Sequence, residues 1–453
     1  MATRVVTTLG LSFLLTSGYT SADTLLDSVN KALATNPEIM VRTSAANAVS
    51  QEVKQARAGF YPKVNLSGNV GYERTRNGTT IGAYQTATNP SNPDRDLSIE
   101  KHADRTRRQA SLTATQMLWD GQFTTYDLER QEARSKAANL EICSIVESIS
   151  LNAIEAYIGV LRNRSLVESA EDNLTQHEEI VKLIRRKADI GLSSDADQAQ
   201  AEGRLVLAKA NLITSQAALR DAETLYRRVV GNLPETFESP DSLNDAPSGL
   251  EGALKLASSN HPVLKIARTD VEAAEAQYEG SKSTFSPTVE LALAANWGKD
   301  VNGDKGTVYD HSALLRFNFN LYNGGADSAR KAQTSQLMNE AIEVKNRVQR
   351  QVEEEVRLAW VAVNFGQERL SPLESHVTLS RESRDYYKKQ FQVGTRTLLD
   401  MLDSQREFFN ASNALIRGSN DLKFSEYRLL QSTGSLASGL SATLPEAASQ
   451  CRS

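Results

Sequence analysis

Apolar residues step by three and four along much of this chain. Ile142, Ile145, Ile149, Ala153, Ala156 and Val160 form one such series, and the spacing predicts a packed helix seam. Residues 122–187 contain one glycine, Gly159, and many good helix formers. Proline is absent between Pro93 and Pro234, and again between Pro287 and Pro372. Helix interiors exclude proline, so these gaps admit very long helices, about 100 Å each at the usual rise per residue. A second long helix is expected from about 326 to 390, kinked or broken at Pro372. Shorter stretches alternate with period two. Val64, Leu66, Val70 and Tyr72 point one way, and Asn65, Ser67 and Asn69 the other. Val289, Leu291, Leu293, Ala295 and Trp297 repeat the pattern, as do Ala313, Leu315, Phe317, Phe319 and Leu321. A weaker fourth strand runs through Ala110, Leu112 and Ala114. Each is close to the length that a tilted barrel strand needs to cross a bilayer. Trp119, Trp297 and Tyr322 fall at expected strand ends, where an aromatic girdle would sit. The intervening segments, 73–109 and 298–311, read as surface loops that hold His102 and His311.

The layout occurs twice. Asn36-Pro37 is matched by His261-Pro262, and Phe60-Tyr61-Pro62 by Phe285-Ser286-Pro287, both at an offset of 225. Leu118-Trp119-Asp120-Gly121 is matched by Leu321-Tyr322-Asn323-Gly324 at 203. Gly191 and Gly394, Asp197 and Asp400, and Gly231 and Gly434 share that second offset. The difference, 22 residues, falls in the first inter-strand loop. Each half therefore reads helix, strand, loop, strand, very long helix, turn, helix. The expected organisation is a signal segment at 1–22, a first repeat at 23–248, a second at 249–434 and a C-terminal tail at 435–453. Pro234, Pro240 and Pro247 mark the linker between repeats. The signal rests on Arg4, an apolar run from Val5 to Leu15 and small residues up to Ala22, with cleavage expected after Ala22 and no cysteine following it for a lipid anchor.

Composition narrows the function classes. Lys and Arg total 51 against 56 Asp and Glu, a net charge of −5, which lacks the basic excess of a nucleic-acid binder. At a mean hydropathy of −0.42, no stretch approaches the apolar run of a spanning helix. Cys143 and Cys451 stand 308 positions apart and are expected to form neither a disulfide framework nor a zinc site, with Cys143 a small buried helix residue. The five histidines have no metal-ligand spacing, and His261 before a proline reads as structural. No P-loop, GxGxxG, nucleophile elbow or HExxH occurs. No enzyme activity, cofactor or metal is expected.

Four strands cannot close a barrel in lipid, because open edges leave backbone groups unpaired. Strands of this kind in a membrane therefore require several copies around one barrel. Two copies give eight strands and three give twelve, and the pattern alone does not choose. A periplasmic coiled-coil scaffold or adaptor would also account for the long helices and the signal, but not for four symmetrically placed alternating strands.

The duplicated strands and helices, together with Val393-Gly394-Thr395-Arg396-Thr397-Leu398-Leu399-Asp400-Met401-Leu402-Asp403, closely resemble the TolC family of outer-membrane channel-tunnels over roughly 24–434. The resemblance implies a mostly helical α+β fold and a homotrimer. Its twelve-stranded barrel, four strands per protomer, would sit in outer-membrane lipid and continue into a periplasmic α-helical barrel. It implies a passive exit duct for multidrug efflux and type I secretion in a Gram-negative bacterium. The partners implied are a periplasmic adaptor and an inner-membrane RND or ABC transporter.

The resemblance also assigns residues. Asp400 and Asp403 would form an acidic ring at the pore entrance, three copies placing six carboxylates together and raising their pKa values by mutual repulsion. Arg396 would pair with Asp197 of a neighbouring protomer to hold the entrance closed. Gly191, Leu192, Gly394 and Thr395 would meet the adaptor. The family's closing tyrosine is replaced by Phe391, which cannot donate its hydrogen bond; Tyr386 or Tyr387 is a candidate substitute. Helix capping is the competing role for Asp400, since Thr397-x-x-Asp400 and Ser194-x-x-Asp197 both read as capping boxes.

Overall fold

The computed structural model describes residues 24–234, 236–240 and 249–452. The expected signal at 1–22 and Pro247 of the linker lie outside the described residues. The chain begins with helices α1 (Leu25–Thr35) and α2 (Pro37–Arg57), strand β1 (Lys63–Thr75), helix α3 (Gly78–Thr88) and strand β2 (Ala103–Trp119). Helices α4 (Phe123–Asp189) and α5 (Asp195–Val230) follow. The order then recurs without a counterpart of α3: α6 (Leu250–Asn260), α7 (Pro262–Ser281), β3 (Thr288–Lys299), β4 (Thr307–Asn318), α8 (Ala326–Gln392) and α9 (Leu398–Ser432). Helix α10 (Leu436–Gly439) and a short 3-10 stretch (Glu446–Arg452) end it. Pro37 and Pro262 each open a helix, the position where a missing N–H costs nothing. Asn36 and His261 each close the helix before.

Contacts divide the chain into two compact units, each drawing on both halves of the sequence. One comprises residues 41–142 and 262–351, the other residues up to 40, 143–261 and 352–453.

The first unit holds the sheet. Its order is β1-β2-β3-β4, antiparallel at each step. The register keeps one face largely apolar through the middle of the sheet, with Arg74, Asp104, Arg108 and Lys299 on it at the end towards the inter-strand loops. Leu66 lies opposite Leu112, which lies opposite Ala295, and Val64 opposite Ala114, which faces Leu293. Leu293, Leu291 and Val289 then face Ala313, Leu315 and Phe317. The other face is polar. Ser111 Oγ donates to Asn296 Oδ1 at 2.5 Å, and Asn296 Nδ2 to Asp310 Oδ2 at 3.0 Å. Arg107–Glu73 and Arg316–Glu290, each at 3.2 Å, add ion pairs. The strands depart from the expected bounds. Residues 73–75 and 103–109 are strand, not loop, and His311 is paired with Ala295 inside β4. Charges such as Arg105, Arg107 and Glu73 hide the alternation in sequence, yet they sit on the polar face, where they pair across strands. The extra residues of the first loop contain α3. Conversely, β4 stops at Asn318, leaving Phe319, Leu321 and Tyr322 beyond it.

The repeated markers meet at the end of β2. Asp120 Oδ2 accepts from the Thr124 N–H at 2.9 Å and from Thr124 Oγ1 at 2.5 Å, fixing the start of α4. Gly121 has φ +68°, and a Cβ there would lie 2.7 Å from Ser286 Cβ and 2.9 Å from the Ser283 carbonyl oxygen. The Trp119-Asp120-Gly121 and Phe285-Ser286-Pro287 motifs are thus two sides of one contact.

The second unit is a helical core. Ile149, Ala153 and Val160 of the predicted seam are buried in it, while Ile142, also buried, is the last residue of the first unit's share of α4. An 18-residue window of α4 is, against expectation, apolar and long enough to cross a membrane by composition, but half of it is packed inside the chain. Phe237 of the linker packs between Tyr157 and Tyr226, with ring centroids 4.9 and 5.2 Å away. Tyr226 Oη in turn lies 2.8 Å from Ser28 Oγ. Helix α8 runs through Pro372 without a break. A 67-residue helix loses one backbone bond there and keeps the rest, and Leu373 packs onto Gly418 of α9.

The cysteines correct the sequence expectation. Cys143 and Cys451 form a disulfide. The C-terminal segment folds back onto α4, where the Glu147 carboxylate accepts the Leu436 and Ala437 N–H groups at 3.0 and 3.1 Å. Asn30 Oδ1 accepts the Thr443 N–H at 2.8 Å. Spacing along the chain carries no trace of this return, so the pairing was invisible to cysteine counting.

Candidate functional site

The candidate residues gather at two helix–turn–helix ends within the second unit. Both turns close in the same way. Helix α4 is closed off at Gly191, φ +71°, two residues past its end, where the Leu192 N–H reaches back to the Lys187 carbonyl at 2.7 Å. Helix α8 ends near Gly394, φ +82°, where the Thr395 N–H reaches back to the Gln390 carbonyl at 3.0 Å. These six-to-one closures satisfy carbonyls that a helix end leaves orphaned, and the left-handed backbone is why glycine stands at each. The next helices start with matching capping boxes. The Asp197 N–H donates to Ser194 Oγ at 3.1 Å, and the Asp400 N–H to Thr397 Oγ1 at 3.2 Å. In return each carboxylate accepts its capping residue's hydroxyl, both at 2.9 Å.

Gly191, Leu192, Gly394 and Thr395 are exposed. Ile190 and Val393, which the sequence reading passed over, extend the apolar surface at 69% and 76% exposure. Asp400 caps α9, as the competing reading had it. Within one chain, Thr397 holds its carboxyl below the ordinary value, chiefly through the hydroxyl and then the backbone N–H, with Arg396 adding attraction. Asp403 pairs one turn on with Arg406 at 3.2 Å. Arg396 does not reach Asp197 within the chain. Its Nε donates to Gln390 Oε1 at 3.0 Å, and its guanidinium lies 4.6 Å from the Tyr387 ring centre. Tyr387 is therefore the tyrosine that meets Arg396, while Phe391 is buried.

Beneath the turns, Phe391, Leu398, Met401 and Leu402 pack against Ile180, Val181 and Ile184 of α4 and Ala201 of α5. Polar ties cross between the helix pairs. Lys187 Nζ donates to the Phe391 carbonyl at 3.0 Å, and Lys388 Nζ pairs with Glu179 at 2.9 Å. Deeper, buried Gln405 donates to buried Asn173 at 3.2 Å. His177, one turn from Asn173, is also buried; burial pushes its pKa down, and Arg204 pushes it further. Sequence reasoning left Tyr386 and Tyr387 as alternatives and missed Gln390 and Lys187; for Lys187, nothing local says which helix ends lie side by side. The repeat offset was the available signal, since Lys187 and Gln390 are counterparts at 203. Among the described residues, no group of three or more His, Cys, Asp or Glu could hold a metal ion.

Comparison with known proteins agrees with this architecture. The family model of the outer membrane efflux proteins matches residues 28–232 and 253–435. The chain is 24% identical to the outer membrane efflux protein BepC of Brucella suis, over 93% of this chain and 87% of that protein. It is 23% identical to the outer membrane protein TolC of Escherichia coli, over 94% and 85%. It is likewise 23% identical to the alkaline protease secretion protein AprF of Pseudomonas aeruginosa, over 88% and 81%. The crystal structure of the outer membrane protein VceC from Vibrio cholerae superposes with a TM-score of 0.75 at 17% identity, covering 90% of this chain and 96% of that one. The family model spans most of the chain, and the fold is that of its solved channels: this chain belongs to the outer membrane efflux protein family.

Proposed function

We propose that three copies of this chain assemble into one outer-membrane exit duct that serves both drug efflux and type I secretion. The observation that carries the reading is the sheet. Its four strands keep one largely apolar and one polar face in register, and among the described residues no strand pairs with the outer side of β1 or β4. An apolar outer face suits lipid, a polar inner face suits a water-filled lumen, and open edges call for further copies. Family membership favours three. The efflux and secretion names of BepC and AprF support both export routes.

In this reading the two turns form the periplasmic entrance. Asp400 and Asp403 supply a cation-attracting ring, and the spare guanidinium donors of Arg396 reach Asp197 of a neighbouring protomer. Gly191, Leu192, Gly394 and Thr395 present exposed small and apolar groups to the hairpin of a periplasmic adaptor. That adaptor links the duct to an inner-membrane RND or ABC transporter. The chain itself moves substrate passively and performs no reaction.

The test is single-channel recording of detergent-purified protein in a planar bilayer, wild type beside Asp400→Ala/Asp403→Ala. Discrete channels blocked by a multivalent cation in wild type alone are expected. Equal block in both removes the acidic ring, and absence of channels in wild type, in Arg396→Ala and in the acidic variant removes the duct.

A further inference from the structure

We propose that Lys187 is the latch that holds the α8–α9 turn against α4 and keeps the entrance of this chain shut; this rests on reading the two turns as that entrance. Lys187 lies where both turns are made. Its own carbonyl accepts the Leu192 N–H that closes the end of α4. Its side chain crosses to α8, where Nζ donates to the Phe391 carbonyl and lies 4.1 Å from the centre of the Phe391 ring. One cation thus meets the negative ends of two helix dipoles and an aromatic face at once.

The repeat gives this contact its meaning. Gln390, the counterpart of Lys187, has a carbonyl that closes the other turn, and its side chain holds Arg396 Nε at 3.0 Å. The same repeat position therefore does two different jobs. In the second half it aims Arg396, and in the first it ties the two helix pairs of one chain together. Phe391 offers no side-chain hydrogen bond, so the polar tie at this level goes through its backbone. Its ring is 7% exposed and packs with Ile180, Ile184, Leu398, Met401 and Leu402. Moving the α8–α9 turn away from α4 must strip Lys187 from its carbonyl and uncover that ring together. Lys388, pairing with Glu179 and Gln176 one turn further from the glycine, guides the same helices without touching the turn.

The experiment compares wild type, Lys187→Met, Lys187→Arg and Phe391→Leu as purified full-length protein in planar bilayers, with thermal melts to check folding. Lys187→Met keeps the chain length and apolar bulk but removes the donor and the charge. A several-fold rise in conductance is expected for it. Lys187→Arg, which can donate to the same carbonyl and stack on the same ring, should stay near wild type. Phe391→Leu, which loses only the ring, should rise less. Wild-type conductance in Lys187→Met, with a rise in Arg396→Ala, overturns the latch and leaves the entrance standing. If Lys187→Met fails to fold, unchanged conductance in Phe391→Leu overturns it. No change in these variants, in Arg396→Ala or in the acidic double variant removes the entrance reading and the latch with it.

Discussion

Cys143 of α4 is covalently joined to Cys451, 308 residues later, so the C-terminal 3-10 stretch is stapled to the first half of that helix. The bond closes a loop over most of the described chain, and such a closure constrains the unfolded state strongly. Reduction, Cys143→Ser and Cys451→Ser should each lower the stability by about 2–4 kcal/mol. The double variant should lose no more than either single one. Thermal melting with and without reductant measures this, and additive losses would mean that the two thiols act separately.

The strap that carries Cys451 also contains an acid-sensitive contact. Burial pushes the Glu147 carboxyl up to about 7, against the pull of the two N–H groups of Ala437 and Leu436. A carboxyl that binds its proton more tightly when folded stabilises the fold at low pH, and that stability is lost as pH rises from the unfolded value towards 7. His261 acts with the opposite sign. Burial lowers it to about 4, so it favours the fold above its unfolded pKa and withdraws that stability as pH falls towards 4. The two oppose each other between roughly pH 4.5 and 6.5. Relative to wild type, Glu147→Gln should make the melting temperature climb with pH across that window. His261→Asn, which installs the residue of the first repeat, should make it fall. Parallel pH profiles for all three proteins would refute both assignments.

The two marker glycines should differ in their tolerance of a side chain. Gly121→Ala places a Cβ against Ser286 and the Ser283 carbonyl at a positive φ. Gly324, its counterpart, also has a positive φ of +59°, but no heavy atom lies within 4 Å of the added carbon. Both pay for left-handed backbone, on the order of 1 kcal/mol, and only Gly121→Ala adds a clash. The yield of folded protein extracted from outer membranes should therefore drop further for Gly121→Ala. Equal yields would mean that the β2–α4 junction yields to the methyl.

The capping boxes give a graded prediction for α5 and α9. Ser194→Ala and Thr397→Val each remove a hydroxyl that accepts the N–H three residues on, costing about 1 kcal/mol of local helix stability. Thr397→Val also removes the hydroxyl bond that does most to hold the Asp400 pKa down, leaving the backbone N–H in place, so that pKa should rise. Amide exchange at residues 398–400, together with the pH dependence of cation block, reads both effects. Unchanged exchange in either variant would show that packing, not the cap, holds the first turn.

Much of this protein is decided within short stretches of its sequence. Glycine-poor runs, proline-free in α4 and interrupted by Pro372 alone in α8, admit the two 67-residue helices, because a helix bonds only within itself. Alternation marked the strands where the polar residues were neutral, as at Val64–Tyr72. It failed around Arg105 and Arg107, where charge hid a strand that cross-strand pairing sustains. The repeat offsets located both turn glycines, whose backbone leaves little choice of residue. The partners of those turns depended on the tertiary structure. Lys187 beside Phe391 and Cys143 bonded to Cys451 each join positions whose proximity depends on how distant segments are brought together, not on any spacing along the chain. Local periodicity fixes what each segment becomes. The burial of Phe391 and the return of the C-terminal segment onto α4 fix which segments touch, and the first of these holds the residues proposed to govern opening.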